Sequence, residues 1–258
     1  MILINVKQLL VCLISAYFAG EYLFQSNTYV SNKSKVFILI RHAAIVAVWS
    51  YALCGSWTRW EIPLLILTTY AIIDFIMAIY GKRDVWTFMA IQIAHVVVII
   101  LISIIVVKMM GIVSLFWVNF FGKGFLKFLI LFAGVIAVTK AGSIFIKMAV
   151  QPFLDQLETH ECESRQKVET DPMPMSRGFE NGGSVIGQLE RALIFLFVFV
   201  NQSAGIGFLI AAKSVFRFGE IKDHKHRMEA EYIIIGTLMS FGYGILVAYA
   251  TKFFVGLV

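Results

Sequence analysis

The sequence predicts an all-α protein: a polytopic transmembrane helix bundle of about six to seven spans, with one broken or kinked helix near 189–218. Hydrophobic residues make up 59% of the chain and charged residues 15%, and the mean hydropathy is +0.82. Soluble domains are about 45–50% apolar and about 25% charged. Apolar runs of about 20 residues, enough to cross a bilayer, recur along the chain. Short charged turns separate the first four of them.

The lengths of these runs define the individual spans. The candidates are residues 4–24, 36–54, 62–80, 86–107, 125–150 and 231–251, with an ambiguous stretch at 189–218. Short turns join only antiparallel neighbours, so the first four spans form an up-and-down bundle. The first run is interpreted as a span because no basic leader precedes it and no small-residue cleavage site follows it. Residues 111–124 are expected to lie along the membrane interface.

The net charge of +6 comes largely from bases at the ends of apolar runs, such as Lys33, Lys35, Lys82 and Arg83. This pattern is typical of membrane loops, so no nucleic-acid partner is expected. The positive-inside rule places the first and third loops in the cytoplasm and the N-terminus outside.

The chain is predicted to have three parts: an N-terminal transmembrane bundle (1–150), a polar cytoplasmic loop (151–186) and a C-terminal transmembrane segment with the broken helix (187–258). Acidic residues outnumber basic ones in 151–184, and Pro172 and Pro174 interrupt any helix there. The segment has too few apolar residues to fold alone. A solvated linker is therefore favoured over a docking site for a cytoplasmic protein.

Polar residues recur inside the first four spans, where ionisable groups are costly and often functional. They lie one helical turn apart within a span and are expected in the same half of the bilayer. The members of this predicted buried polar cluster are Glu21, Gln25, His42, Asp74, Gln92 and His95. Three interpretations stay open: mutual interhelical hydrogen bonds, passage of protons or ions, or binding of a divalent metal such as zinc or iron. No His-Glu-x-x-His motif supports the metal, and the cofactor is left unknown.

A second polar group interrupts the apolar run in the C-terminal third. Residues 192–200 are too few to span a bilayer, and polar residues follow at 201–205. Either one long kinked helix or two half-helices around an unwound turn fits this pattern, and half-helices commonly form binding sites. The predicted members of this broken-helix cluster are Glu190, Arg191, Asn201, Gln202 and Lys213.

The order of these motifs resembles a bacterial polytopic inner-membrane family of unknown function. The resemblance is close in the C-terminal part: the Glu-Arg pair at 190–191, the segment 207–218 with its Ala-Ala-Lys-Ser motif, and the segment 230–237 beginning Ala-Glu-Tyr. In the N-terminal part, His42, Asp74, Gln92, His95 and Gln25 match the family. Glu21 stands where the family has Asp, Tyr17 and Tyr70 stand where it has His, and Val46 and Ile91 replace polar residues. The resemblance implies a multi-pass protein of the bacterial inner membrane. The Glu-for-Asp and Tyr-for-His replacements preserve hydrogen bonding better than metal binding.

These features predict a non-enzymatic membrane protein that supports ion or small-solute passage, gated through the loop at 151–186. One alternative is a membrane-embedded metal-dependent hydrolase of a lipid-linked substrate, with His42, His95, Asp74 and Glu21 as ligands or acid/base groups. Another is a signalling component that recruits a cytoplasmic protein through 151–184. The lipid bilayer is the expected environment, and a second copy of the chain is a further candidate partner.

Overall fold

The computed structural model describes residues 2–24, 36–81, 84–166, 182–218 and 227–258, and all regular structure in these ranges is helical. The predicted all-α class is therefore confirmed. The helices are α1 (Ile2–Leu23), α2 (Val36–Cys54), α3 (Glu61–Tyr80), α4 (Val85–Met110), α5 (Phe116–Phe121), α6 (Lys123–Ile136), a π-helical turn (Ala137–Ala141), α7 (Gly142–Gln166), α8 (Gly182–Phe199), α9 (Ser203–Phe218) and α10 (Arg227–Gly256).

Six continuous helical stretches of the described chain are long and apolar enough to cross a membrane, and one of them joins α6, the π-helical turn and the first part of α7. They are Ile2–Leu23, Glu61–Ile79, Val85–Met110, Lys123–Leu157, Gly182–Phe199 and Glu231–Gly256, with Leu39–Cys54 and Ser203–Val215 as shorter apolar helices. Backbone polar groups in lipid must be satisfied within the chain, which helices do. The chain is thus a multi-pass membrane protein whose apolar helices contact the bilayer.

The segment predicted as a polar loop at 151–186 is helical at both described ends. α7 continues to Gln166 and passes through Pro152, while α8 already begins at Gly182. A proline inside a helix removes one hydrogen bond and bends the helix without necessarily ending it. Helical structure therefore extends into this polar segment from both sides, and residues 167–181 between the two helices lie outside the described residues.

The first compact unit comprises Met1–Ile136 together with Phe253–Val258. In it α1 packs against α2, α4 and α6, and α3 packs against α2 and α4. Leu9, Leu13, Ile66 and Ile99 are among the fully buried core residues. α1 and α2 approach closely at Gly20, where an added Cβ would lie 2.9 Å from the Val46 Cα. This packing brings the polar faces of four neighbouring helices into one core.

Hydrogen bonds hold the residues at and after the end of α4 against the rest of this unit. The Asn5 amide donates to the Val113 carbonyl (2.8 Å) and accepts from the Val113 N–H (2.9 Å). The Trp117 indole donates to the Ala52 carbonyl, and the Arg59 guanidinium donates to the Met110 carbonyl, both at 2.9 Å. Side chains thus satisfy main-chain groups that lack helical partners, as a membrane protein requires.

The second compact unit comprises Ala137–Lys252. In it α9 packs back against α8, and the two helices meet at a break over residues 200–202. Asn201 has φ +57°, in the left-handed region that a continuing helix does not use. The helices have 18 and 16 residues, so they are ~27 and ~24 Å long at 1.5 Å per residue. The predicted broken helix near 189–218 is confirmed as these two helices.

Candidate functional site

The first buried contact between ionisable side chains joins α1 to α2. The His42 Nε2 lies 2.5 Å from the Glu21 Oε2, and both side chains are almost completely buried. Glu21 lies two residues before the end of α1 and His42 lies in the second turn of α2. A carboxylate and an imidazole at this distance share a charge-assisted hydrogen bond, the form of contact that makes buried ionisable groups tolerable.

The second contact joins α3 to α4. The His95 Nε2 lies 3.5 Å from the Asp74 Oδ1. The Tyr70 ring, one turn before Asp74, stacks on the His95 ring with 4.2 Å between centroids and 6° between planes. The Tyr17 ring approaches both, with centroids 5.7 Å from His95 and 5.9 Å from Tyr70. His95 is therefore held between a carboxylate and two aromatic rings.

α1 connects the two pairs, because Tyr17 and Glu21 are one helical turn apart on the same face. Tyr17 contacts His95 on α4 while Glu21 contacts His42 on α2. The polar line defined here therefore comprises Tyr17, Glu21, His42, Tyr70, Asp74 and His95. Each member is at most 8% exposed.

Some buried polar atoms here have no hydrogen-bond partner in the described part of the chain. They include the Tyr70 hydroxyl and the Oε1 of Gln92, which precedes His95 by one turn. The Tyr70 side chain is 0% exposed. A buried polar atom without a protein partner commonly indicates bound water. Gln25, the remaining member of the predicted cluster, lies outside the described residues.

The described residues do not assemble the ligand set that a metal-dependent hydrolase would use. No group of three or more His, Cys, Asp or Glu side chains among them is placed to hold a metal ion. The four ionisable residues form two separate pairs, and two ligands fall short of the three protein ligands of catalytic zinc sites. The geometry therefore favours two His–carboxylate pairs over a metal centre.

The predicted broken-helix cluster is not one cluster in the structure. Glu190 on α8 and Lys213 on α9 form an ion pair, with the Lys213 Nζ 2.5 Å from the Glu190 Oε2. The same ammonium lies 5.1 Å from the centroid of the Phe241 ring on α10. Because these residues lie about equally far from the break, the pair fixes α8 and α9 as an antiparallel hairpin.

Arg191 points elsewhere and bonds to the π-helical turn. Its guanidinium donates to the carbonyls of Val138 (2.7 Å) and Thr139 (3.2 Å). It also donates to the hydroxyls of Ser143 (2.7 Å) and Ser240 (2.8 Å). A π-helical turn loosens the helical bonding pattern, and this arginine supplies donors to the carbonyls there. Among the described residues no carboxylate lies within salt-bridge distance of it.

A second cation at main-chain carbonyls was missed by the sequence reasoning. The Lys252 ammonium on α10 donates to the Val198 carbonyl (2.8 Å) and to the Asn201 side-chain oxygen (2.5 Å), so it caps the end of α8. Its position near the end of an apolar run is typical of an ordinary flanking base, so no signal distinguished it. Gln202, in contrast, has an exposed side chain.

These units define the class of protein, a multi-pass α-helical membrane protein with buried polar contacts in both units. A family model described as a protein of unknown function (DUF3307) matches residues 9–121, which hold both His–carboxylate pairs. The match covers less than half of the chain and lies in its N-terminal part, whereas the closest motif resemblance is C-terminal. No curated protein and no solved structure matches the chain.

Proposed function

We propose that the chain is a non-enzymatic membrane protein that passes a small cation across the bilayer along the polar line of α1–α4. The observation that carries the proposal is the pair of buried contacts Glu21–His42 and Asp74–His95, connected through Tyr17. Ionisable side chains inside a membrane are costly, and where they line up they commonly mark ion or proton pathways.

The polar line occupies one half of the unit. The core of the other half is mainly apolar, and its buried Ser15 and Ser103 donate to main-chain carbonyls. Beyond Tyr17 and His95 the core continues with Leu13, Ile99 and Val106, all fully buried. Hydrophobic constrictions of this kind gate membrane pathways by excluding water. We propose that this apolar layer closes the pathway in the present conformation and that passage requires the helices to part there.

Localisation, gating and partners are finer points of the same proposal. The expected membrane is the bacterial inner membrane, with gating through residues 151–186. A cytoplasmic partner at 151–184 and a second copy of the chain remain predictions. The metal-dependent hydrolase is not favoured, because His42 and His95 each face one carboxylate and no described group of three such side chains could hold a metal ion.

The test is cation flux through liposomes that contain the purified protein. Sodium, potassium and proton leak are each measured against empty liposomes, for the native chain and for Glu21→Gln and Asp74→Asn. We expect leak of at least one cation in the native protein and its loss in both variants, since each removes the carboxylate of one pair. Asp84→Asn is the matched control because Asp84 is exposed, and an asparagine there can still accept from the Thr87 N–H at the start of α4.

Two outcomes would contradict the proposal. One is that liposomes with the native protein leak sodium, potassium and protons no faster than empty liposomes do. The other is a stoichiometric transition metal in the purified protein that His95→Ala loses, which would favour the hydrolase instead.

A further inference from the structure

We infer that the cation is the proton. Water bound at the Tyr70 hydroxyl and the Gln92 amide oxygen transfers this proton between the two His–carboxylate pairs. This inference rests on the proposed function and names the ion that it carries. It starts from two buried polar atoms that the described protein groups leave unsatisfied.

A buried polar atom without a hydrogen-bond partner destabilises the folded protein. Folded proteins rarely leave a buried donor or acceptor without a partner, and where no protein group supplies one, bound water commonly does. A tyrosine hydroxyl donates one hydrogen bond and accepts others, while a glutamine Oε1 only accepts. A water molecule donates two bonds and accepts two, so it satisfies both kinds of atom. Gln92 precedes His95 by one turn on α4, and the Tyr70 ring stacks on the His95 ring, so both residues neighbour His95.

The surroundings of His95 also suit a protonated imidazole. Asp74 lies at ion-pair distance, and the Tyr70 ring covers one face of the imidazole with 4.2 Å between centroids. An aromatic face attracts a cation, more strongly where water is excluded. Histidine is also the side chain whose unperturbed charge changes between about pH 5 and 8. His95 is therefore suited to take up and release a proton.

Metal cations and larger solutes fit the line poorly. A sodium or potassium ion must exchange its hydration shell for several oxygen ligands, as in selectivity filters. Here the Glu21 carboxylate already bonds to His42, the Asp74 carboxylate faces His95, and all four side chains are at least nine-tenths buried. A proton needs only a donor and an acceptor at each step. Each transfer breaks one N–H or O–H bond and forms another, so no co-reactant is required.

The test uses the full chain in liposomes with an entrapped pH-sensitive dye and a potassium diffusion potential set by valinomycin. We expect proton influx with the native protein, no sodium or potassium flux in parallel assays without the ionophore, and loss of proton influx in Tyr70→Phe and Gln92→Leu. The matched control is Tyr51→Phe, because the Tyr51 hydroxyl already donates to the Trp57 carbonyl (2.8 Å). Tryptophan fluorescence on heating checks that each variant is folded.

Radiolytic hydroxyl labelling gives a second readout, since it oxidises side chains that touch bound water. We expect labelling of buried Tyr70 in the native protein and its decrease in Gln92→Leu. Absence of that labelling, or full proton influx in both Tyr70→Phe and Gln92→Leu, would overturn the water bridge. Sodium or potassium flux without proton flux would overturn the inference and leave the proposed function standing, whereas no flux of any cation would overturn both.

Discussion

In the first compact unit the buried ionisable side chains of α1–α4 contact one another, whereas in the second unit Arg191 and Lys252 bond to main-chain carbonyls. Glu21 meets His42 and Asp74 faces His95. Arg191 meets the π-helical turn, and Lys252 meets the end of α8. Both arrangements place charge in apolar surroundings, but their partners differ in kind.

We call the charge of the His–carboxylate pairs movable, because a proton transfer can relocate it. We call the charge of Arg191 and Lys252 fixed, because it is bonded to main-chain carbonyls. A histidine and a carboxylate can exchange a proton while both helices keep their hydrogen bonds. A carbonyl at a helix break has no protonation state to change, and it loses its partner when the cation leaves. We therefore expect the first unit to tolerate rearrangement of its charges and the second unit to depend on its cations for folding.

The largest expected effect is that of Arg191→Met. It leaves the Val138 and Thr139 carbonyls without their donor in apolar surroundings, at about 1–3 kcal/mol each, and removes the bonds to two hydroxyls. We expect a loss on the order of 4 kcal/mol or more, read as a lower midpoint in circular dichroism melting in detergent. Arg191→Lys keeps the charge with fewer donors and should fall between. An unchanged midpoint in Arg191→Met would remove the structural role given to this arginine.

Tryptophan fluorescence makes this measurement specific to one unit. All five tryptophans belong to the first unit: Trp49, Trp57, Trp60, Trp86 and Trp117. We expect Arg191→Met to lower the circular dichroism midpoint more than the fluorescence midpoint. The reverse order would contradict the assignment of the damage to the second unit.

The next effect concerns the Glu21–His42 pair. Glu21→Leu leaves His42 buried without its carboxylate, and breaking a buried pair costs about 3–5 kcal/mol. Adding His42→Leu should restore much of the stability, because apolar replacement of a whole buried pair is often neutral. Fluorescence melting of the single and double variants measures the recovery. A double variant no more stable than Glu21→Leu would contradict the contrast between movable charge in the first unit and fixed charge in the second. The cation flux of the double variant should be lost whether or not its stability recovers.

The membrane fold could be predicted from the sequence because lipid demands long apolar runs and leaves few alternatives. The spacing of Tyr17 and Glu21 also indicated that they share one face of α1, while the predicted depth in the bilayer stays a prediction. The spacing did not predict which side chains meet, because that depends on how each helix is rotated about its axis. The pairing of Glu21 with His42 required the packing of α1 on α2 at Gly20.

The second unit was harder to predict because its cations bond to main-chain carbonyls, which every residue carries, so no residue type marks the partner. The π-helical turn Ala137–Ala141 contains no glycine or proline to mark it. Arg191 reaches the Val138 carbonyl across 53 positions, and Lys252 reaches Asn201 across 51. Periodicity describes one helix at a time, so it identified the break at 201–205 without the lysine that caps it.

A smaller effect tests the close packing around Arg191. A Cβ at Gly142 would lie 2.7 Å from a Tyr243 ring carbon and 2.9 Å from the Arg191 Nε. We expect Gly142→Ala to cost about 1–3 kcal/mol through overpacking, measured by circular dichroism melting. Gly242→Ala is the matched control because nothing lies within 4 Å of its added Cβ. Equal midpoints for the two variants would show that the guanidinium shifts freely, and so would weaken its assignment as fixed charge.

The smallest effect on stability is expected for Gln202→Leu. Its side chain is exposed and makes no hydrogen bond among the described residues, while its backbone N–H to Phe197 is kept by any residue but proline. A surface change of this kind stays within about 0.5 kcal/mol. Because stability is unchanged, the variant isolates function at the hairpin of α8 and α9. Cation flux equal to the native protein would leave passage with the polar line of the first unit, whereas loss of flux would move the pathway to the helix break and overturn the division between movable and fixed charge.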